Sequence, residues 1–436
     1  MSIVASFAVP HPPLIVREVG RGSEKQVQKT IDSYEKIVRE IAEIEPETII
    51  ISSPHTLFLQ DGFYLSSTPT MEGSFSSFGA SQVQFREEID LELARKIEKI
   101  SQVESFPVAK VQNDVELDHG VMVPLYFIRK YLKKYKIVIV GLSGLSLNMH
   151  YHFGEFIRRA VDNLGRKVVF VASGDLSHVL QEYGPYGFSK EGPIYEKKIL
   201  RTMTDAHFDE LLHYDLELLD LAKECGHPSF TIMAGIWSKK QIIPTFFSHE
   251  DITGVGYGIW SYYPKKDMYV ALAKQTIEVY VKEKRKIDVP NNLPIEMLSK
   301  KSGVFVSIHK HGNLRGCIGT FLPMQDCVAK EIIENAISAS TRDPRFSAIK
   351  EDELKDLEIH VDVLTAPEKI VSKDELNPKK YGVIVSNGFR RGLLLPDLEG
   401  VDTVDEQIQI AKQKADIDFS EEISLERFEV VRHKDD

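Results

Sequence analysis

Ile3-Val4-Ala5-Ser6-Phe7-Ala8-Val9-Pro10-His11-Pro12-Pro13 opens on a largely apolar run, interrupted only by Ser6, and then sets a histidine among prolines. A short run of this kind, apolar on both faces, belongs to a strand in a sheet covered on two sides. Thr48–Ser52 repeats the pattern and ends in Ser53-Pro54-His55-Thr56. Between the two, Val27, Ile31, Tyr34, Val38 and Ile41 recur at helical spacing through the polar segment Glu24–Glu43, which makes a strand–helix–strand unit. The same reasoning predicts strands at Phe63–Ser66, Ser105–Lys110, Ile137–Gly141 and Lys167–Ala172. Helices are expected near Asp90–Ile100, Met122–Leu132, His150–Leu164, Ile194–Met203 and Phe230–Lys239, and closing strands at Ile242–Phe247 and Val255–Tyr262. Such alternation predicts an α/β fold with a parallel or mixed sheet between helices. His11, His55, Leu142-Ser143-Gly144 and Asp175–His178 would then follow the carboxyl ends of strands, on the rim where open α/β sheets bind ligands.

At 436 residues the chain exceeds one ordinary domain. Composition changes at the polar stretch Tyr263-Pro264-Lys265-Lys266-Asp267, which divides it into residues 1–263 and 264–436. The balance of 54 basic against 65 acidic residues, a net charge of −11, argues against a nucleic-acid partner, and the basic run Lys282–Lys286 is too short to reverse this. Three cysteines, Cys225, Cys317 and Cys327, fit a reducing cytoplasm better than a disulfide framework. The opening segment lacks a basic leader, and no apolar run approaches the roughly 18 to 20 residues of a membrane span. A cytoplasmic protein without a membrane partner is expected.

Two histidines and a carboxylate on one face can hold a divalent transition metal and leave positions open for substrate and oxygen. His11 and His55 supply two nitrogens, and Pro10, Pro12 and Pro54 restrict their backbones. Two ordinary proline-rich turns would read the same way. Asp118-His119-Gly120 and Gly174-Asp175-Leu176-Ser177-His178 add two more turn-like histidine segments. Asp175 either orients His178 or caps a following helix. His150 and His152, two apart at a helix start, fall on different faces and read as packing or surface residues.

Ala8–Leu14, Ile51–Thr56, Leu117–Leu125 and Ser173–His178 together resemble the ordered motifs of type III extradiol ring-cleavage dioxygenases, the LigB-like family, over roughly residues 1–262. The resemblance implies a mixed-sheet α/β sandwich, a non-haem ferrous iron held by His11 and His55, His178 as catalytic acid/base, and His119 as a substrate-side or supporting group. The family's third ligand is a glutamate after the last long helix, where this chain reads Lys223-Glu224-Cys225-Gly226-His227-Pro228. Cys-Gly followed by His-Pro resembles the related Memo proteins, in which cysteine replaces that glutamate. Cys225 is therefore the first choice and Glu224 the second, with a small buried cysteine as the plain alternative. A carboxylate completes the hard set suited to ferrous iron, whereas a thiolate also accepts zinc or copper. The implied reaction is dioxygen-dependent opening of a catecholic or hydroxylated aromatic ring, on a small molecule or a peptide, with His178 moving the substrate proton. A Memo-like metal-binding scaffold or iron-handling protein without ring cleavage is the alternative, and zinc-assisted hydrolysis ranks last.

Tyr269–Phe428 resembles the AMMECR family through Leu314-Arg315-Gly316-Cys317-Ile318-Gly319, Ser340-Thr341-Arg342-Asp343-Pro344-Arg345-Phe346 and Arg391-Gly392-Leu393-Leu394-Leu395-Pro396. That implies a smaller α/β domain. A helix is expected at Tyr269–Lys282, then a strand at Gly303–Lys310, a helix at Cys327–Ser340 and a strand at Leu357–Leu364. Arg315 beside Cys317 would lower the thiol pKa and suit a nucleophile or redox thiol, against a tight turn with a buried cysteine. Arg342 and Arg345 around Asp343 form either an anion pocket or an internal ion pair. Both domain types resemble parts of the AmmeMemoRadiSam systems, and the chain as a whole resembles the system protein A type. The resemblance implies a radical-S-adenosylmethionine enzyme as partner and an AMMECR domain that presents substrate.

Overall fold

A computed structural model describes residues 3–109, 115–398 and 400–434, without the side chain of Lys355. The chain forms two compact units, Met1–Lys265 and Lys266–Asp436.

In the first unit, β1 (Ile3–Val9), β2 (Thr48–Ser53), β3 (Lys136–Gly141), β4 (Val168–Ser173), β5 (Ile242–Glu250) and β6 (Tyr257–Pro264) form one sheet in the order β3-β2-β4-β1-β6-β5. The first four of that order are parallel; β6 runs antiparallel to β1, and β5 to β6. Successive side chains of a strand point to opposite faces. Ala8, Ile50, Val138, Phe170 and Ala172 accordingly pack on one side with the helices Leu91–Val103, Leu147–Leu164, Glu191–Thr204 and His227–Ile236. Phe7, Val9, Ile49, Ile51, Ile139 and Val171 pack on the other with Gln28–Ile44, His119–Tyr131 and the hairpin Thr70–Phe75/Ala80–Glu88. This is the mixed α/β sheet between two helical layers that the alternating pattern predicts.

Three local differences matter. Helix His119–Tyr131 begins before the expected Met122 because Asp118 caps it, Oδ1 accepting the Val121 N–H at 3.3 Å. The hairpin has no counterpart in the sequence reading, since its inward Met71, Phe75, Val83 and Phe85 are diluted among exposed polar residues. The strand expected at Ser105–Lys110 is two residues, Val108–Ala109, and Lys110 lies outside the described residues.

The second unit is a smaller α/β arrangement of two antiparallel sheets. The first joins β7 (Val304–Lys310), β8 (Asn313–Thr320), β9 (Leu357–Leu364) and β14 (Val430–Lys434) in the order β8-β7-β9-β14. The second joins β10 (Glu368–Ile370), β11 (Gly382–Asn387), β12 (Arg390–Leu394) and β13 (Ser424–Phe428) in the order β10-β13-β11-β12. Helices Met268–Glu283 and Val328–Thr341 cover the first sheet. His311 and Gly312, both at positive φ, turn β7 into β8, so Cys317 sits within a strand and not in a tight turn. Gly316 is required there: a Cβ would stand 2.3 Å from the Ala339 carbonyl oxygen of the covering helix. Among the described residues no helix is long and apolar enough to cross a membrane.

Candidate metal centre

Three parallel strands deliver their groups to one rim at the same offset: His11, His55 and Asp175 each stand two residues beyond the end of β1, β2 and β4. Hydrogen bonds then fix how each is presented.

His11 is buried. Its backbone N–H donates to Asp175 Oδ1 at 2.8 Å, and its Nδ1 lies 2.9 Å from Ser173 Oγ. The Ser173 hydroxyl donates its one proton to the Gly120 carbonyl at 2.5 Å, so toward His11 it can only accept. Nδ1 therefore carries the ring proton and Nε2 the free lone pair, the state a metal requires. Burial, and then His55 and His178, hold the His11 pKa well below the usual value, so the ring is neutral.

Nε2 of His11 stands 3.0 Å from Nε2 of His55 and 3.6 Å from Sγ of Cys225. All three atoms lie within 4.8 Å of one another. A tetrahedral ion with ordinary Zn–N and Zn–S bonds sets such atoms roughly 3.3 Å (N to N) and 3.6 Å (N to S) apart, so the donor set fits one cation.

Cys225 reaches this position through a contact between glycines. A Cβ on Gly174 would meet Gly226 Cα at 2.1 Å, so the two loops lie backbone against backbone. Across the contact Asp175 O accepts Gly226 N–H at 3.0 Å, and Asp175 N–H donates to Cys225 Sγ at 3.3 Å. Burial, with the charges of Asp175 and Glu224, pushes the thiol pKa well up, so a thiolate here depends on a cation beside it. Glu224, the other candidate ligand, does not join the converging atoms. Its carboxylate accepts the His227 N–H at 2.5 Å at the start of helix His227–Ile236, and burial pushes its pKa up to about 7.

Around the three donors stand His119, Asp175 and His178. The His119 ring stacks on His55, centroids 4.1 Å apart, and burial with the two neighbouring imidazoles lowers its pKa to about 3. Asp175, His178 and Cys225 form a second converging group within 4.8 Å. Burial raises Asp175 to about 6, with His178 opposing. Of the two roles left open for Asp175, helix capping is excluded, because no helix begins between Asp175 and Glu191. His178 Nε2 is buried without a hydrogen-bond partner, and burial lowers the ring's pKa. His150 is buried between Ser143 N–H and the Ser146 carbonyl, while His152 is exposed and paired with Glu155. Ser173 lies inside the motif Ser173–His178 but carries no signal of its own in the sequence, and neither does Tyr186, which stacks on His178.

In the second unit Arg315 does not serve Cys317. Its guanidinium pairs with Glu353 through Nε (3.1 Å) and Nη2 (3.0 Å). Arg345 stands at the thiol instead, yet burial outweighs it and the Cys317 pKa is raised, opposite to the expected lowering. Arg345 also holds Asp343 in a two-point ion pair (3.0 and 2.7 Å), the internal alternative of the two readings. The Arg342 side chain is exposed and makes no hydrogen bond or ion pair among the described residues. A hollow of about 540 Å³ adjoins this segment, lined by Lys310, Arg315, Arg345, Ser347, Lys350 and Glu353 among others.

The family model for the catalytic LigB subunit of aromatic ring-opening dioxygenase matches residues 5–260, and the AMMECR1 model matches residues 270–433. A protein of Clostridium acetobutylicum is 42% identical over 468 residues, covering 100% of both chains. A protein of Thermotoga maritima is 51% identical over 168 residues, 38% of this chain and 97% of its own. The solved structure of an uncharacterised Pyrococcus horikoshii protein is 31% identical, covers 38% of this chain and 88% of its own, and superposes with a TM-score of 0.35. With the larger unit matched almost from end to end, the chain belongs to the LigB family of aromatic ring-opening dioxygenase catalytic subunits, here joined to an AMMECR1 domain.

Proposed function

We propose that the first unit is a metal-dependent, extradiol-type dioxygenase acting on a catecholic or hydroxylated aromatic ring, with ferrous iron as the working metal. The observation that carries this reading is the convergence of His11 Nε2, His55 Nε2 and Cys225 Sγ, with His178 converging on the same thiol and its buried Nε2 unpartnered. When bound, the metal supplies charge that acidifies a chelated hydroxyl and open positions for substrate and dioxygen. The protein does the rest. Ser173 keeps the His11 lone pair free, and His119, neutral and stacked on His55, lines the substrate side without adding charge. His178, neutral before substrate arrives, takes the substrate's hydroxyl proton on Nε2, and the buried carboxylate of Asp175 stabilises the imidazolium formed.

The AMMECR1 domain is proposed to present the substrate, in company with a radical-S-adenosylmethionine enzyme. The union of both domain types in one chain supports this. One observation favours a second reading: a cysteine in place of a carboxylate softens the donor set, as suits a metal-holding scaffold that also accepts zinc or copper. Anaerobic loading with ferrous iron separates the two, followed by oxygen uptake with catechol, 3,4-dihydroxyphenylalanine and a peptide bearing that residue. Uptake that requires substrate and disappears in His11→Ala and His178→Ala supports the dioxygenase. Stoichiometric metal binding without substrate-dependent uptake supports the scaffold.

A further inference from the structure

His178 is oriented unlike the buried histidines near it. The rings of His11, His150 and His227 are each fixed by a hydrogen bond, to Ser173, to the Ser146 carbonyl and to the Leu211 carbonyl. Among the described residues no hydrogen bond reaches the His178 ring. Its close neighbour is Tyr186, stacked on it with centroids 5.1 Å apart and planes 27° from parallel.

Tyr186 belongs to Gln181-Glu182-Tyr183-Gly184-Pro185-Tyr186-Gly187-Phe188, a loop closed at its base by the bridge between Leu180 and Phe188 and by Ser189 N–H on the Val179 carbonyl at 3.0 Å. Two successive turns shape it, Gly184 N–H to Gln181 O at 3.0 Å and Gly187 N–H to Gly184 O at 3.2 Å. Gly187 has φ +74°, and Gly184 lies against Gly254 so closely that a Cβ on Gly254 would stand 2.7 Å from Gly184 Cα. The loop is thus anchored to the segment leading into β6. Yet it leaves Tyr183, Tyr186 and Phe188 exposed at 76%, 55% and 52%. Exposing three aromatic rings in eight residues loses apolar burial, and the fold gains no core from Tyr186 in return.

We propose that Tyr186 is the positioning residue of His178: its ring face fixes the imidazole plane and so keeps Nε2 directed at the metal-side cleft. The proposal rests on the acid/base reading of His178 given above. The hydroxyl of Tyr186 makes no hydrogen bond among the described residues, so the ring face and not the oxygen performs the task.

Metal-free protein carrying ¹³C-labelled histidine provides a test independent of turnover. Tyr186→Leu is expected to remove the ring-current shift of the His178 signals and broaden them, while Tyr186→Phe leaves them in place and thermal melting is unchanged in both. His178 signals unmoved in Tyr186→Leu would overturn the proposal. With ferrous iron and catechol, Tyr186→Leu is expected to lower kcat about tenfold with KM within about twofold, as loss of alignment does, and Tyr186→Phe to restore it. Parental kcat in Tyr186→Leu, or a Phe variant as slow as the Leu variant, would also overturn it. His178→Ala is measured alongside: parental turnover there removes the acid/base reading, while the histidine signals still decide whether Tyr186 orients the ring.

Discussion

Gly174 and Gly226 lie against each other without room for a side-chain carbon: a Cβ on Gly174 would be 2.1 Å from Gly226 Cα. This contact brings Cys225 to the histidines, so it ties the geometry of the metal centre to the backbone of two loops. Gly174→Ala must part those loops. The expected result is a folded protein, destabilised by roughly 1–3 kcal/mol as for other forced overpacking. Isothermal titration with zinc should show at least tenfold weaker binding. Unchanged zinc affinity would mean that the glycine contact does not place the thiol.

Ser173 acts through His11. Removing its hydroxyl in Ser173→Ala leaves Nδ1 without its acceptor and frees the ring to take either tautomer. Loss of a partner of this kind typically weakens metal affinity about 10- to 100-fold. Competition against a chelator of known affinity measures it, and Ser173→Thr, which keeps the hydroxyl, is expected to stay near the parent.

Glu353 offers a pH test far along the chain from the metal centre. Hydrogen bonds from Arg315, assisted by Lys310, lower its pKa to about 2. A depressed carboxylate contributes stability that is present above its unfolded value of about 4.3 and is lost as pH falls toward the folded value. The stability difference between the parent and Glu353→Gln should therefore be present at pH 6 and shrink by pH 3. Urea unfolding at the two pH values checks this, and a difference that does not depend on pH would remove the ion pair from the account.

Phe170 is fully buried on β4 at the centre of the main sheet. Phe170→Ala is expected to cost about 3–5 kcal/mol, the usual range for a large-to-small change at such a site. Chemical denaturation followed through the first unit's tryptophans, Trp237 and Trp260, measures it.

What could be read from residues alone divides along physical lines. The parallel strands were legible because each is apolar on both faces, and the rim followed from their direction, since His11, His55 and Asp175 stand at one offset beyond three of them. The hairpin Thr70–Phe75/Ala80–Glu88 was not, because a strand with one exposed face dilutes its apolar signal. Glu224 and Cys225, adjacent in the chain, could not be separated by spacing. Their difference arises from a helix N-terminus that takes the carboxylate and a glycine contact that presents the thiol. Arg315, expected beside Cys317, is taken up by Glu353, distant in sequence, and Arg345, expected at Asp343, stands at both Asp343 and the thiol.

Everything proposed for the first unit depends on His11, His55 and Cys225 sharing one cation. X-ray absorption at the metal edge of the zinc-loaded protein tests it most directly. One sulfur neighbour is expected at about 2.3 Å and imidazole nitrogens at about 2.0–2.1 Å, with the sulfur lost in Cys225→Ser and kept in Glu224→Gln. A parent spectrum with nitrogen and oxygen neighbours alone, altered by Glu224→Gln and not by Cys225→Ser, would contradict it.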